Sequence, residues 1–367
     1  MKPVTGGRLK KAVTIRDVAR HAGVSVATAS RAMNGMQIVR EQTRDRILAV
    51  SEELGFTPSP AARRLSLGRT MTVGIIVSYL TRPQAVERLR GVDEVFADGE
   101  LDLIIYNVES VQKRDHFLQT LVDPHRHDGL LVVSLPPPPG AVSVLERAAV
   151  PVVFVDVHVP TVSAMPRVIG DDVEGGALAV RHLLDLGHRR IGLISDATDD
   201  PFGFTSSRDR KAGMVRELEA AGIELPQQWV GHGEHGRYEA RDLALRMLGA
   251  ADRPTAIFVS SDTQALGVIA AAHEAGFNVP EDLSVIGYDD IEAADYVGLT
   301  TIRQQLIESG RHGAELLLRE MANRSDTAPV VELPPELVVR STTAPPKSRR
   351  ATTRSKHPIS HHKEETS

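Results

Sequence analysis

Val26, Ala27, Thr28 and Arg31 follow Ser25 within two helical turns. The set combines two small apolar groups, a hydroxyl that donates or accepts, and a guanidinium with a fixed fork of donors. On the outward side of a helix near its N-terminus, such groups fit the hydrogen-bonding edges of base pairs in a major groove. That chemistry needs an element to hold them at one angle.

Val13 to Gly35 (VTIRDVARHAGVSVATASRAMNG) supplies it as helix, tight turn, helix. Thr14 stands where an N-cap is needed, and Asp17, Val18, Ala19 and Ala22 lie on the first helix. Gly23 gives the turn a residue without Cβ. Ser25 caps the second helix by accepting from free N–H groups. Ala29, Ala32 and Met33 point inward, which leaves Val26, Ala27, Thr28 and Arg31 outward. Val39–Leu54 reads as a third helix with an apolar face of Ile47, Leu48, Val50 and Leu54. Gly55 ends it, and Phe56 folds back on the last turn. Arg40, Arg44 and Arg46 are available for phosphates, contacts that position without reading sequence.

This stretch closely resembles the DNA-binding headpiece of the lactose-repressor (LacI/GalR) family of bacterial transcription regulators. The matching residues are Thr14, Asp17, Val18, Ala19, Ala22, Gly23, Val24, Ser25, Thr28, Ser30, Arg31 and Asn34. The resemblance implies DNA contacts from Thr14, Ser25, Val26, Ala27, Thr28, Ser30, Arg31 and Asn34. It also implies that Pro58–Thr70 (PSPAARRLSLGRT) holds a short hinge helix, too short to persist unsupported. Paired across a homodimer, that helix would enter the minor groove with Leu65 as a wedge between base pairs. Ala62 would lie against the groove, and Arg63 or Arg64 against phosphate. Ser59 stands where the family usually carries asparagine.

Charge is partitioned to match. The net charge is −5, yet the first 70 residues carry 13 basic and 5 acidic side chains, against 30 and 43 in the remainder. A basic module on an acidic body leaves only the front end suited to phosphates. Hydrophobic residues make up 41% and aromatics 4%, so a large core is built mainly from Val, Ile, Leu and Ala. The absence of cysteine excludes a disulfide framework and Cys-ligated zinc. Apolar runs fall far short of the ~18 residues of a membrane span. The basic start without an apolar segment shows no export signal. A cytoplasmic protein with no membrane partner is expected.

From Met71 onward β-branched runs alternate with amphipathic stretches. Strands are expected at 73–78, 103–107, 129–134, 152–156, 190–194, 256–260 and 283–288, and helices at 177–186, 208–221, 238–248, 264–275 and 305–321. Such alternation produces parallel sheets covered by helices, with ligands beyond the carboxyl ends of the strands. Arg90-Gly91, Leu186–Ile191, Arg208-x-Arg210-x-x-Gly213, Ser261-Asp262-x-x-Ala265-x-Gly267, Val285–Asp290 and Leu299–Ile302 resemble the effector-binding core of the same family, which is related to periplasmic sugar-binding proteins. The expected fold is an all-α helix-turn-helix headpiece plus an α/β two-lobe core with parallel sheets. Its expected divisions are a flexible basic start at 1–11, a headpiece at 12–58, a hinge at 59–70 and a core at 71–341. The N-lobe takes 71–168 and 301–328, and the C-lobe 169–300 and 329–341. A disordered tail is expected at 342–367. Lobe crossings fall near Val168, Thr301 and Pro329.

By the same resemblance, Asp156, Arg210, Asp262 and Asp289 are candidates for holding a small polar effector, a sugar or derivative. Carboxylates accept from hydroxyl pairs and Arg donates as a fork. The segment Thr81–Ala85 lacks the aromatic platform frequent in sugar-binding members. Phe202 and Phe204 stand as substitutes or as core, and His235 as a loop contact. Gly231–Gly236 formally spells G-x-G-x-x-G, but a dinucleotide site needs a buried strand leading into that loop, and 226–230 reads as a weak strand. A loop beside the cleft is the expectation. His125, His127, His361 and His362 lack metal-spaced partners and read as solvated. No cofactor, metal or catalytic set is expected. The function expected is sequence-specific repression, with double-stranded palindrome-like DNA, an effector and a second copy of the chain as partners. A solute-binding protein and a nucleotide-cofactor enzyme are the alternatives.

Overall fold

The computed structural model describes residues 13–57, 64, 68–97, 99, 101–325 and 327–347. Three short helices come first: α1 (Ile15–His21), α2 (Val26–Met33) and α3 (Glu41–Glu53). Val18, Ala19, Ala29, Ala32 and Ile47 form their shared core, with Val50, Leu54 and Phe56 packed around it. Thr14 begins α1 by donating from its backbone N–H (3.0 Å) and its hydroxyl (2.7 Å) to Asp17. These two bonds, the hydroxyl first, hold the Asp17 carboxyl below its ordinary range. Gly23 takes the left-handed conformation the turn requires (φ +64°). Gly55 does the same after α3, where Phe56 N–H returns to the Ser51 carbonyl. Leu48, expected on the inner face of α3, is 46% exposed instead. The Ala62, Arg63 and Leu65 assignments, Ser59, and the 1–11 start lie outside the described residues.

The first lobe then assembles from β1 (Thr72–Ser78), α4 (Pro83–Phe96), β2 (Asp102–Val108), α5 (Val111–Thr120), β3 (Gly129–Val133), α6 (Val142–Glu146), β4 (Val152–Val155) and β5 (Arg167–Gly170). The chain crosses to build the second lobe from α7 (Asp172–Asp185), β6 (Ile191–Asp196), α8 (Ser206–Ala220), β7 (Val230–Gly233), α9 (Arg237–Leu248), β8 (Ala256–Val259), α10 (Asp262–Glu274), β9 (Ser284–Asp289), α11 (Glu292–Tyr296) and β10 (Thr300–Arg303). It returns with α12 (Leu306–Ala322) and β11 (Val330–Leu333), and crosses again into β12 (Glu336–Val338). The sheet orders are β11-β5-β4-β3-β1-β2 and β12-β10-β9-β8-β6-β7. Among the described residues the pairings are parallel, as expected, with the exception of β10 with β12 at one sheet edge.

Burial explains these strands. β1, β3, β4, β8 and β9 are buried along their whole length, as strands covered on both faces must be. The covering helices come unusually close. A Cβ on Gly91 would meet the Ile307 carbonyl oxygen at 1.9 Å, and one on Gly213 the Val173 carbonyl oxygen at 1.9 Å. Glycine in the Arg90-Gly91 and Arg208–Gly213 motifs is therefore a packing requirement between α4 and α12 and between α7 and α8.

The lobe crossings lie a few residues later than expected, at 171, 304–305 and 334–335, because β5, β10 and β11 each complete their sheet first. The tail assignment also needs correction at its front. Thr342–Lys347 is docked on the second lobe: the Thr342 hydroxyl donates to the Val285 carbonyl (2.7 Å) and accepts from Thr300 N–H (2.9 Å), and Ala344 N–H donates to Ser284 Oγ (3.0 Å). Lys347 reaches Asp282 at 2.7 Å. Short polar residues here continue the hydrogen bonding of the sheet, so low apolar content did not mean an unattached chain.

Candidate functional site

Two sites emerge, one on the headpiece and one between the lobes. At the headpiece, Ser25 Oγ accepts from Thr28 N–H at 3.0 Å and lies 2.8 Å from the Thr28 hydroxyl. The N-terminus of α2 is thereby fixed. Val26, Ala27 and Arg31 stand exposed on it, whereas Thr28, Ser30 and Asn34 are half-buried. Arg44 also serves the fold: one of its terminal nitrogens donates to the Met36 carbonyl (3.1 Å) across the loop before α3.

Between the lobes lies a cleft of about 700 Å³, at the carboxyl ends of the central strands. Its polar wall is one connected chain of groups. Ser134 Oγ donates to Asp156 (2.7 Å); Arg88 pairs with Asp156 (2.9 Å) and donates to Gln304 Oε1 (3.0 Å). Gln304 Nε2 donates to Asp289, which sits 3.8 Å from Arg210. Arg210 in turn donates to Asp172 (2.7 Å) and to the Ser260 carbonyl (2.5 Å), with its guanidinium 3.7 Å from the Tyr288 ring centre. The series runs from the first lobe to the second through Gln304, at a crossing segment.

The electrostatics follow from this wiring. Burial pushes the Asp156 carboxyl up, but Arg88, His158 and the Ser134 hydroxyl outweigh it and hold the group below its ordinary range. At Asp289 the balance is reversed. Burial pushes it up to about 6 despite the pull of Arg210, Arg88, His235 and Gln304. Buried polar atoms are ordinarily paired. Here Gln84 Oε1, Arg88 Nε, His235 Nε2 and Asp289 Oδ2 are buried without a partner, and all four residues line the cleft. Two acceptors, a donor and an imidazole nitrogen thus await hydrogen bonds in one place. Tyr79 and Phe204 add aromatic surface to the same cleft.

Comparison with known proteins identifies the family of both parts of the chain. Residues 14–59 match the model of bacterial regulatory proteins of the lacI family, and residues 180–343 match a periplasmic binding protein-like domain. The chain is 34% identical over 332 residues to the HTH-type transcriptional repressor PurR of Photobacterium profundum, covering 89% of this chain and 97% of that protein. The chain belongs to the lacI family of bacterial regulatory proteins. Among solved structures, a lac repressor dimer bound to operator and the anti-inducer ONPF superposes with a TM-score of 0.78 at 29% identity, covering 91% of this chain and all of the other. A complex of the transcriptional regulator CelR with cellobiose gives a TM-score of 0.66 at 27% identity, over 90% and 99% of the two chains.

This lacI-family member is a DNA-binding transcriptional repressor with a small-molecule site. Of the residues expected in its cleft, Asp156, Phe204, Arg210, His235 and Asp289 are brought together there. Asp262 is not. It is fully buried at the start of α10, accepting from the Thr301 hydroxyl (2.6 Å) and Ile291 N–H (3.0 Å), so it braces the loop after β9 and does not line the cleft. Phe202 is core rather than cleft wall. His127, expected in solvent, is buried against the Tyr106 hydroxyl at 2.9 Å; His361 and His362 lie outside the described residues. The segment before Gly231 is not a strand: Gln227–Trp229 makes a single 3-10 turn, and β7 begins only at Val230, pairing with β6 through Gly233. Gly233 at the end of β7 and Glu234 and His235 of the loop after it line the cleft. Sequence reading missed Tyr79, Arg82, Arg88, Asp196 and Gln304 as cleft residues. Arg88 meets Gln304 across 216 positions of chain, and no local pattern marks that pairing.

Proposed function

We propose that this regulator binds an operator as a homodimer and that a neutral, polyhydroxylated effector, a sugar or derivative, sets its operator affinity from the interlobe cleft. The carrying observation is the convergence of four unpartnered buried polar atoms on a cleft whose polar wall joins both lobes. Hydroxyls both donate and accept, so a polyol satisfies carboxylate, amide, guanidinium and imidazole together. The aromatic surface of Tyr79 and Phe204 suits the apolar face of such a molecule. CelR carries cellobiose in a related fold, which supports the same class for this chain.

DNA reading falls to Thr14, Ser25, Val26, Ala27, Thr28, Ser30, Arg31 and Asn34. Ala62, Arg63 and Leu65 act at the centre of a palindrome-like site. Tyr238, Tyr296 and Val297 on one lobe and Ile104 and Ile105 on the edge strand β2 of the other are exposed apolar side chains suited to pairing with a second copy. The related lac repressor was seen as a dimer on operator. No described helix is long and apolar enough to cross a membrane. The protein acts in the cytoplasm where its DNA lies, and the cleft binds without turning over its ligand.

Selection of genomic fragments by the purified full chain tests this reading. Recovered fragments share a two-fold symmetric motif, and retention by the protein changes on adding the sugar whose genes flank the site. Recovery of unrelated sequences would falsify the operator assignment, and a retention unmoved by any carbohydrate handled by those genes removes the effector class.

A further inference from the structure

The loop between β6 and α8 belongs to the second lobe by connectivity, yet it carries a side chain that belongs to the core of the first. Phe202 is 4% exposed and sits in the same apolar cluster as Leu118, Leu121, Leu130, Leu135 and Phe154, a cluster otherwise made from first-lobe residues apart from its half-buried neighbour Phe204. Its ring meets Tyr79 edge-on at 5.7 Å and lies parallel to Phe204 at 5.5 Å. The backbone is held as well. Asp200 Oδ1 accepts from Phe202 N–H (2.7 Å), Gly203 N–H returns to the Asp200 carbonyl (3.0 Å), and Gly203 adopts φ +77°. From the first lobe, buried Arg114 donates to the Phe202 carbonyl at 3.2 Å.

We infer that Phe202 is a latch: inserted into the first-lobe core, it holds the two lobes closed and stacks Phe204 into the cleft as part of the effector's aromatic wall. The crossing segments let the lobes hinge, but they do not set the angle. A buried phenylalanine does, because opening returns on the order of 150–250 Å² of apolar surface to water. Phe202 itself does not face the cleft, whereas Tyr79 and Phe204 do. It is therefore a positioning residue, acting through its two aromatic neighbours.

The inference rests on the cleft being the effector site, and its test is independent of DNA and ligand. The chain has no cysteine, so Ala149→Cys and Glu219→Cys place one spin label on each lobe of the full-length protein. Dipolar distance measurements on the wild-type background give a single closed population. Phe202→Ala adds a population at altered separation, and it hastens amide exchange in α5 and in the 199–205 loop on the order of tenfold or more. Phe202→Leu stays closed. Should Phe202→Ala fail to fold by circular dichroism, Asp200→Ala leaves the core intact and releases the loop backbone, giving the same change in smaller measure. Unchanged distances and unchanged exchange in the variants that fold overturn the latch. Operator retention measured on the same samples reports separately on the regulator reading.

Discussion

Asp289 is the position where stability and ligand binding pull against each other most plainly. Its carboxyl is 2% exposed, Gln304 donates to one oxygen, and the other has no partner. Burial raises it from an ordinary 3.8 to about 6, with Arg210 the strongest of the groups opposing the rise. A carboxyl whose folded value lies above its unfolded one takes up a proton more readily in the native protein. Its contribution therefore favours the fold increasingly as pH falls from about 6 to about 4, and opposes it as pH rises. At pH 7.5, with 1.36 kcal/mol for each pH unit between 3.8 and 6, the ionised group costs the fold about 3 kcal/mol. Asp289→Asn resembles the protonated state, keeping an acceptor for Gln304 without the buried charge. The variant should be more stable than wild type by up to about 3 kcal/mol at pH 7.5, with the advantage vanishing toward pH 4. The chain's single tryptophan, Trp229, is buried in the second lobe, so urea unfolding followed by its fluorescence reads the relevant domain. Effector response should be lost in the same variant, because an amide NH₂ replaces the unpartnered acceptor. A variant equally or less stable at pH 7.5 would refute the reasoning and show that pairing with Arg210 outweighs the cost of burial.

Other outcomes can be stated more briefly. Arg31→Ala should weaken operator binding by about 1–3 kcal/mol and relax preference at one base pair per half-site; competition with substituted operators reads this, and an unchanged preference removes Arg31 from base reading. Arg210→Met leaves Asp172 and Asp289 buried without their shared cation, so about 3–5 kcal/mol of stability should go, by urea unfolding at pH 7.5. Ser25→Ala removes the cap of α2 and should cost the headpiece about 1 kcal/mol, visible as faster amide exchange in residues 26–33 while the core is unaffected. Gly91→Ala must part α4 from α12, because the new Cβ meets a backbone oxygen, and should lower stability by about 1–3 kcal/mol in thermal unfolding.

The helical headpiece was legible because its information is local. Thr14, Gly23, Ser25 and Gly55 each do in space what their types announce, through a cap or a left-handed turn. The fully buried strands were legible as β-branched runs. What sequence concealed depends on partners far away in the chain. β7, β11 and β12 lie at sheet edges, where burial is incomplete and the apolar signal is weak. Asp262 carries a motif that suggests a ligand carboxylate, but at the first position of α10 its two oxygens are taken up by Ile291 N–H and the Thr301 hydroxyl, and it does not line the cleft. Arg88 on α4 reads as one more charge on an amphipathic helix until Asp156 and Gln304 are seen to close around it.

The docked segment after β12 has a practical consequence. A chain shortened to Ser341 would leave Thr300 N–H and the Val285 carbonyl, both now satisfied by Thr342, facing an unfilled groove. Trimming at that point should lower the stability of the second lobe, read as an earlier transition in thermal unfolding. Expression tags and fusion partners should accordingly be joined beyond Lys347.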